Sequence, residues 1–465
     1  DRPVEWIGQY DGQTIFQHNI YAHNIKASYS LPSDKIHQDT IWYINRMVNE
    51  ALIKTNSNNP GPVHINVPIR EPFYPAKNES LNFNKDERYI VSFNTEVSLT
   101  KEVWDEVISL IINAKSILLV GGFMHPDEEF KKALVSFQEQ NALPLIAEPN
   151  SNLQDVAHAV VYSDLIFKSG VTDTLKPDLL ITFGREILSK STKKTLRNWK
   201  VKKHIHIGIN ERIPDSFQSV SHLLPVTPVS FFKNLLNKTK LPVNTQYRDN
   251  WRLFNLKVND AISKYFSQNI FNEIFAVKEV LSNIPHGSVL HTGNSLPVRY
   301  VNMLSSINTL NFCNRGTSGI DGCVSTAIGS AIKAGPEEMV FLLLGDVAFF
   351  YDRNAFWNNV VPVNLRIVVI NNHGGAIFRT VEGAKDQPEL EQFFVTNQPL
   401  TCESIAKEFN LEYYLANDFK TLTDQLKKFV KKGNTAKILE VEITNSNTSQ
   451  TIEEFSAFIK SNING

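Results

Sequence analysis

The stretch Val340–Phe378, VFLLLGDVAFFYDRNAFWNNVVPVNLRIVVINNHGGAIF, holds two apolar runs that each end in a polar pair. Phe341–Leu344 stops at Gly345-Asp346, and Leu365–Ile370 stops at Asn371-Asn372. Runs of this kind read as buried parallel strands, with a crossover helix over Ala355–Val361 between them. Ligands of open α/β sheets bind at the carboxyl ends of strands, so Asp346 and Asn372 should emerge at one crevice. One carboxylate, one amide oxygen and a nearby backbone carbonyl form a hard oxygen set suited to Mg²⁺, or to Mn²⁺ in its place. Such an ion keeps phosphate oxygens among its ligands, which implies a diphosphate cofactor. Gly-Asp and Asn-Asn are also ordinary strand-end turns, so the neighbouring motifs decide.

Outward on the N-terminal side, Gly293-Asn294-Ser295 follows the apolar Val289-Leu290, and Arg299 stands four residues after Ser295. Small residues and a hydroxyl at a strand-to-helix turn suit phosphate contact, and Arg299 shares the face of Ser295 if that residue opens the helix. An N-cap serine with a solvated arginine is the alternative. Asn314-Arg315-Gly316-Thr317-Ser318-Gly319-Ile320-Asp321-Gly322 brings three glycines into one short loop, where the backbone can approach a ligand closely. The isolated Ile320 has no evident core partner in that polar setting. Ser325–Gly329 then reads as the start of a close-packed helix.

The whole chain, at 465 residues, is long enough for two or three domains. Its 47 basic and 48 acidic residues nearly cancel and form no cluster of the kind that binds nucleic acid or a membrane surface, so small molecules are the expected partners. Three cysteines, Cys313, Cys323 and Cys402, lack the spacing of a disulfide framework or metal site and suit a reducing cytoplasm. Residues 1–75 contain one helical stretch, Gln38–Lys54, with an apolar face of Ile41, Ile44, Met47, Val48, Ala51 and Leu52, and one buried strand, VHINV at 63–67. That is too little sheet for a doubly wound domain, so this segment reads as the end of one. Residues 76–100 suit a linker. Within 101–238, strands at Ser116–Val120, Pro144–Ala147, Leu179–Phe183 and His204–Ile209 alternate with helices such as Asp127–Gln140. The turn Gly121-Gly122-Phe123 lacks GxGxxG spacing, which favours a spacer over a nucleotide site. Residues 239–465 open with a helical Leu241–Lys278 and run from a strand at Ser288–His291 to one at Lys437–Thr444.

Taken together and in order, DRPVE, GPVHINVPIREP, GNSLPVR, NRGTSGIDG and the Gly-Asp…Asn-Asn-His-Gly-Gly-Ala-Ile-Phe pair resemble the MenD family of 2-succinyl-5-enolpyruvyl-6-hydroxy-3-cyclohexene-1-carboxylate (SEPHCHC) synthases. The resemblance covers nearly the whole chain. It implies an α/β protein of the thiamine-diphosphate-binding fold, with doubly wound parallel sheets in three domains: the C-terminal part of a pyrimidine-binding domain (1–75), a central Rossmann-like domain (101–238) and a diphosphate-binding domain (239–465). It implies decarboxylation of 2-oxoglutarate and addition of the resulting unit to isochorismate, in a cytoplasmic homodimer or homotetramer. Another thiamine-diphosphate synthase, similar to acetohydroxyacid synthase, or a non-catalytic binding protein are the rival readings.

Carried over by position, the resemblance makes Asp346, Asn372 and the Gly374 carbonyl the metal ligands. It places Gly293, Ser295, Ile320, Asp321, Gly345 and Ile377 at the cofactor, with Ile320 beneath its bend. Ser295, Arg299 and Arg315 meet carboxylates or the cofactor's surroundings, and Ile377, Phe378 and Val381 form an apolar wall. Arg2 and Gln13 match positions that meet the diphosphate-binding domain of another subunit. Departures are Val347 for a usual glycine, Val381 for a commoner leucine, and Ser221-His222 where a basic pair is frequent. The family's glutamate that hydrogen-bonds the aminopyrimidine lies upstream of the DRP motif, which here is Asp1-Arg2-Pro3, and Glu5, Glu71 and Glu382 fall in the wrong motifs. With Met47 as its first methionine, the chain is expected to be a truncated form, inactive alone and with part of its first domain's core exposed.

Overall fold

The computed structural model describes all residues except 35–36, 72–73, 81–86, 94, 96, 172, 211, 239–243, 306–308, 359, 444–447 and 465. The chain divides into two compact units, Asp1–Ser98 with Ile209–Arg212, and Leu99–Gly208 with Ile213–Gly465. No helix among the described residues is long and apolar enough to cross a membrane.

In the first unit, strands β1 (Ala27–Ser30) and β2 (Val63–Asn66) pair in parallel beside the helix Gln38–Thr55. The expected apolar face of that helix is only partly covered: Met47 and Ala51 are buried against Tyr29, whereas Ile41 and Leu52 stay exposed. The expected buried strand is likewise half-buried, with Asn66 its one buried residue. Two strands are too narrow to cover an 18-residue helix.

The second unit holds two six-stranded sheets whose strands all run parallel. The central sheet has β3 (Ile117–Gly121), β4 (Leu145–Ala147), β5 (Ala159–Val160), β6 (Leu179–Phe183), β7 (Lys203–Ile207) and β8 (His222–Leu224), in spatial order β5-β4-β3-β6-β7-β8. The C-terminal sheet has β9 (Val289–Thr292), β10 (Leu310–Cys313), β11 (Val340–Gly345), β12 (Leu365–Asn371), β13 (Glu412–Ala416) and β14 (Lys437–Glu442), in order β10-β9-β11-β12-β14-β13. Thr444, the expected end of β14, lies outside the described residues.

Why β11 and β12 read as continuous apolar runs is visible in their packing. Phe341 and Leu343 face one core cluster, and Val340, Leu342 and Leu344 face another on the opposite side. Side chains alternate at period two, and helices cover both faces, so every position from Val340 to Leu344 and from Leu365 to Asn371 is buried. The cluster under Phe341 and Leu343 also takes in Leu118, Val120 and Leu180 of the central sheet and Trp251 of the helix Thr245–Phe266. A continuous core therefore joins the two sheets. Arg366 breaks the β12 run yet is fully buried, because its guanidinium donates to the carbonyls of Val363, Leu365, Phe429 and Lys431.

Two helical expectations are corrected. The crossover after β11 is not a helix over Ala355–Val361. A helix starts at Asp346 itself (Asp346–Tyr351), a 3-10 turn follows at Arg353–Phe356, and residue 359 lies outside the described residues. Pro362 disfavours helical backbone in the residue before it. The expected single helix Leu241–Lys278 is two, Thr245–Phe266 and Glu273–Asn283, broken where Asn269 adopts φ 52°; Leu241 lies outside the described residues.

Candidate active site

The order of the C-terminal sheet reverses between β9 and β11, and a cavity of about 420 Å³ opens near the carboxyl ends of these strands and β12. Its walls bring together Ser295, Arg299, Arg315, Ile320, Gly345, Asp346, Asn372, Gly374, Ile377, Phe378 and Val381. These residues come from four separate sequence motifs. Gly293 and Asp321 do not line the cavity. A Cβ at Gly293 would stand 2.8 Å from the Leu344 Cβ, so this glycine lets the turn after β9 close onto β11. The Asp321 side chain folds back on its own loop, with Oδ1 2.1 Å from where a Gly319 Cβ would be, and remains exposed. Arg2 and Gln13 belong to the first unit, where Arg2 pairs with Glu71 at 2.9 Å and Gln13 has φ 65°.

Asp346 is 1% exposed, at the first position of its helix. Burial pushes its carboxyl up to about 6, against a 2.7 Å hydrogen bond from Gln398 Nε2. A cation beside it would favour the charged form and offset the cost of burial. Asn372 donates through Nδ2 to Glu273 at 3.0 Å, while its Oδ1 is buried without a hydrogen-bond partner. A buried, unpaired amide oxygen in the same cavity as a desolvated carboxylate is the donor set a small divalent ion would complete. The Gly374 carbonyl accepts from the Ala376 amide at 2.9 Å, and a carbonyl oxygen has a second lone pair to offer.

Ser295 occupies the N-cap of the helix Leu296–Leu304, but its side chain makes no capping bond. Its backbone is held at φ 76°, ψ −127°, a conformation that non-glycine residues rarely adopt. The Ser295 carbonyl accepts from Arg299 Nη1. Burial and the neighbouring Arg315 depress the Arg299 pKa. Arg315 Nη1 donates to Asn294 Oδ1 at 2.9 Å, and its Nε is buried without a partner. Two partly desolvated guanidiniums at one cavity favour an anion between or beside them. Ile320 is half-buried against the cluster of Val324 and Phe349, so it has the core partner that its polar neighbours in sequence concealed.

The family described as "Thiamine pyrophosphate enzyme, C-terminal TPP binding domain" matches residues 295–441, the span that carries most of these walls. A 2-succinyl-5-enolpyruvyl-6-hydroxy-3-cyclohexene-1-carboxylate synthase of Cytophaga hutchinsonii is 39% identical over 99% of this chain and 82% of its own length. Synthases of the same name from Porphyromonas gingivalis and Flavobacterium johnsoniae are 31% and 32% identical, over 99% and 95% of this chain and 80% and 78% of their lengths. The chain belongs to the SEPHCHC synthase family. Its doubly wound parallel sheets are those of the thiamine-diphosphate-binding fold.

Within this family member, sequence reasoning passed over Asn294, Glu273, Tyr300 and Gln398. Asn294 Nδ2 donates to the carbonyls of Asn314 and Gly319 at 2.7 and 2.6 Å, while its Oδ1 accepts from Arg315. It ties the turn after β9 to the glycine-rich loop. Its place inside Gly293-Asn294-Ser295 was the available signal. Glu273 lies far upstream in the chain and looks like an ordinary acidic residue in a helix's first turn.

Proposed function

We infer that this protein is a thiamine-diphosphate- and Mg²⁺-dependent SEPHCHC synthase, which decarboxylates 2-oxoglutarate and joins the remaining four-carbon unit to isochorismate in menaquinone biosynthesis. The observation that carries this reading is the buried, unpartnered Oδ1 of Asn372 in the same cavity as Asp346, Arg299 and Arg315. Asp346, Asn372 and the Gly374 carbonyl would hold Mg²⁺, with Mn²⁺ as a substitute, and through it the diphosphate. When bound, thiamine diphosphate supplies the electron sink for decarboxylation. Ile320 would support the bent cofactor. Ile377, Phe378 and Val381 form an apolar wall that keeps water from the reacting carbon. Both substrates carry two carboxylates, and Arg299 and Arg315 would orient them through forked hydrogen bonds. A synthase resembling acetohydroxyacid synthase would share Asp346 and Asn372 but has no need of this arginine pair.

In the same reading, residues 1–75 belong to a pyrimidine-binding domain, 101–238 form the central domain and 239–465 the diphosphate-binding domain. Arg2 and Gln13 would reach the cavity of another subunit in a cytoplasmic homodimer or homotetramer. The test is product analysis by mass spectrometry. The full gene product, with thiamine diphosphate and Mg²⁺, is incubated with isochorismate and either 2-oxoglutarate or pyruvate. Release of CO₂ and consumption of isochorismate with 2-oxoglutarate alone are expected. Turnover of pyruvate without consumption of isochorismate would overturn the reading.

A further inference from the structure

Besides Asp346, Glu273 is the only carboxylate among the described residues of the cavity wall. It stands in the first turn of the helix Glu273–Asn283, whose N-cap Asn272 accepts from the Phe275 amide at 2.9 Å. Its side chain is inaccessible to solvent. Three neutral groups donate to it: the Asn372 amide at 3.0 Å and the Thr448 hydroxyl on Oε1, and the Tyr300 hydroxyl on Oε2. A carboxylate that accepts from two hydroxyls has only acceptor capacity left for the third neighbour. The Asn372 amide must therefore turn its NH₂ toward Glu273. A primary amide has two ends, so its oxygen takes the other side, where Oδ1 is buried and unpaired.

We propose that Glu273 is the positioning residue for Asn372. It locks the amide with its oxygen free for the cation held with Asp346, and it excludes the flipped rotamer that would offer the cation an N–H donor. The inference rests on the metal reading above. It assigns Glu273 no contact with metal, cofactor or substrate. Tyr300 and Thr448 hold the carboxylate in turn, so three elements far apart in sequence converge on the orientation of one amide. Groups behind a metal ligand commonly change metal affinity by about 10–100-fold when removed.

Mn²⁺ binding, followed by the loss of the free-ion electron paramagnetic resonance signal with thiamine diphosphate present, tests this without recourse to activity. Glu273→Ala should weaken Mn²⁺ binding by about 10–100-fold. Glu273→Leu, which fills more of the vacated volume, should do the same and serves if the alanine variant does not fold. Glu273→Gln should stay near the parent, because its carbonyl oxygen still accepts from the Asn372 amide. Asn372→Ala should also lose affinity, and the double variant Glu273→Ala/Asn372→Ala should be no weaker than Asn372→Ala alone. The inference is overturned if a folded Glu273→Ala or Glu273→Leu protein binds Mn²⁺ like the parent. It is equally overturned if the double variant loses the product of the two single effects. Equal affinity of the parent and Asn372→Ala would instead remove the metal reading, and this inference with it.

Discussion

Both six-stranded sheets reverse their strand order at a crevice, between β9 and β11 in one and between β3 and β6 in the other, yet only the first crevice offers chemistry. At the central sheet, the chain's own backbone fills the space. Gly122 N donates to Phe183 O, Arg185 N to Phe123 O and Phe123 N to Glu186 O, each at 2.9 Å, which zips the two strand-end loops together. A Cβ at Gly122 would stand 1.9 Å from the Arg185 carbonyl oxygen. The backbone amides of Leu188 and Ser189, which an external anion could use before the helix Lys190–Trp199, already donate to the buried Glu148 carboxylate. At the C-terminal sheet, in contrast, a Cβ at Gly345 would meet only the Ile370 carbonyl oxygen, 4.0 Å away, and the polar groups at the strand ends remain under-satisfied. Topology creates a place for a ligand, and local backbone closure decides whether the place stays open.

The largest expected effect strikes the open crevice. Asp346→Ala removes the only anionic member of the proposed ligand set, so Mg²⁺-dependent binding of thiamine diphosphate should weaken by more than about 100-fold. Calorimetry that finds the parent's affinity in this variant would remove the functional side of the contrast. Next come the arginines. Arg299→Ala and Arg315→Ala should each lower kcat/KM by about 10²-fold while changing cofactor affinity little, since a hydrogen bond to a charged group contributes about 1.5–3 kcal/mol. Normal steady-state kinetics in both variants would contradict their assignment to substrate carboxylates.

The filled crevice makes the converse prediction. Gly122→Val forces a side chain into backbone and should destabilise the fold by about 1–3 kcal/mol, whereas Gly345→Ala, with ordinary φ of −87° and open space, should stay within about 0.5 kcal/mol. Urea denaturation of the two variants sharpens the contrast, and equal stabilities would break it. The filled crevice also carries a pH-dependent effect, at Glu148. Burial pushes its carboxyl up to about 7, despite the opposing bonds from Leu188 and Ser189. The folded state thus holds this proton more tightly than the unfolded state. Its contribution to stability is greatest below pH about 4.5 and declines as pH rises toward 7, by an amount on the order of a few kcal/mol. Glu148→Gln should flatten that part of the stability profile, measured by urea midpoints at pH 5 and 7.5, and an unchanged slope would show that Glu148 is already ionised in the folded protein.

Much of the open crevice was legible in the residues. The strands β11 and β12 announced themselves because burial on both faces demands uninterrupted apolar residues, and Asp346 and Asn372 follow directly on those runs. Arg366 was no obstacle, since one buried guanidinium can be satisfied by nearby carbonyls. The crossover was misplaced because Ala355-Phe356-Trp357 has helical composition, while the tight turn at Asp346 claims the helix start. The apolar face of Gln38–Lys54 was legible as a face, but how much of it is covered was not, because periodicity records which residues could be covered, and not how wide the covering sheet is.

The sequence by itself determined the parallel α/β layering, the two polar strand ends that line the cavity and the glycine-rich loop beside them, because each depends on a local alternation of side chains or on neighbours a few residues apart. Only the tertiary structure decided that Glu273 meets Asn372, 99 positions away, and Thr448, 175 positions away. It alone decided that Arg185 returns to close the crevice at Gly122. Contacts of this kind arise when long segments fold back to one point, and no local pattern of residues records where a distant segment will return.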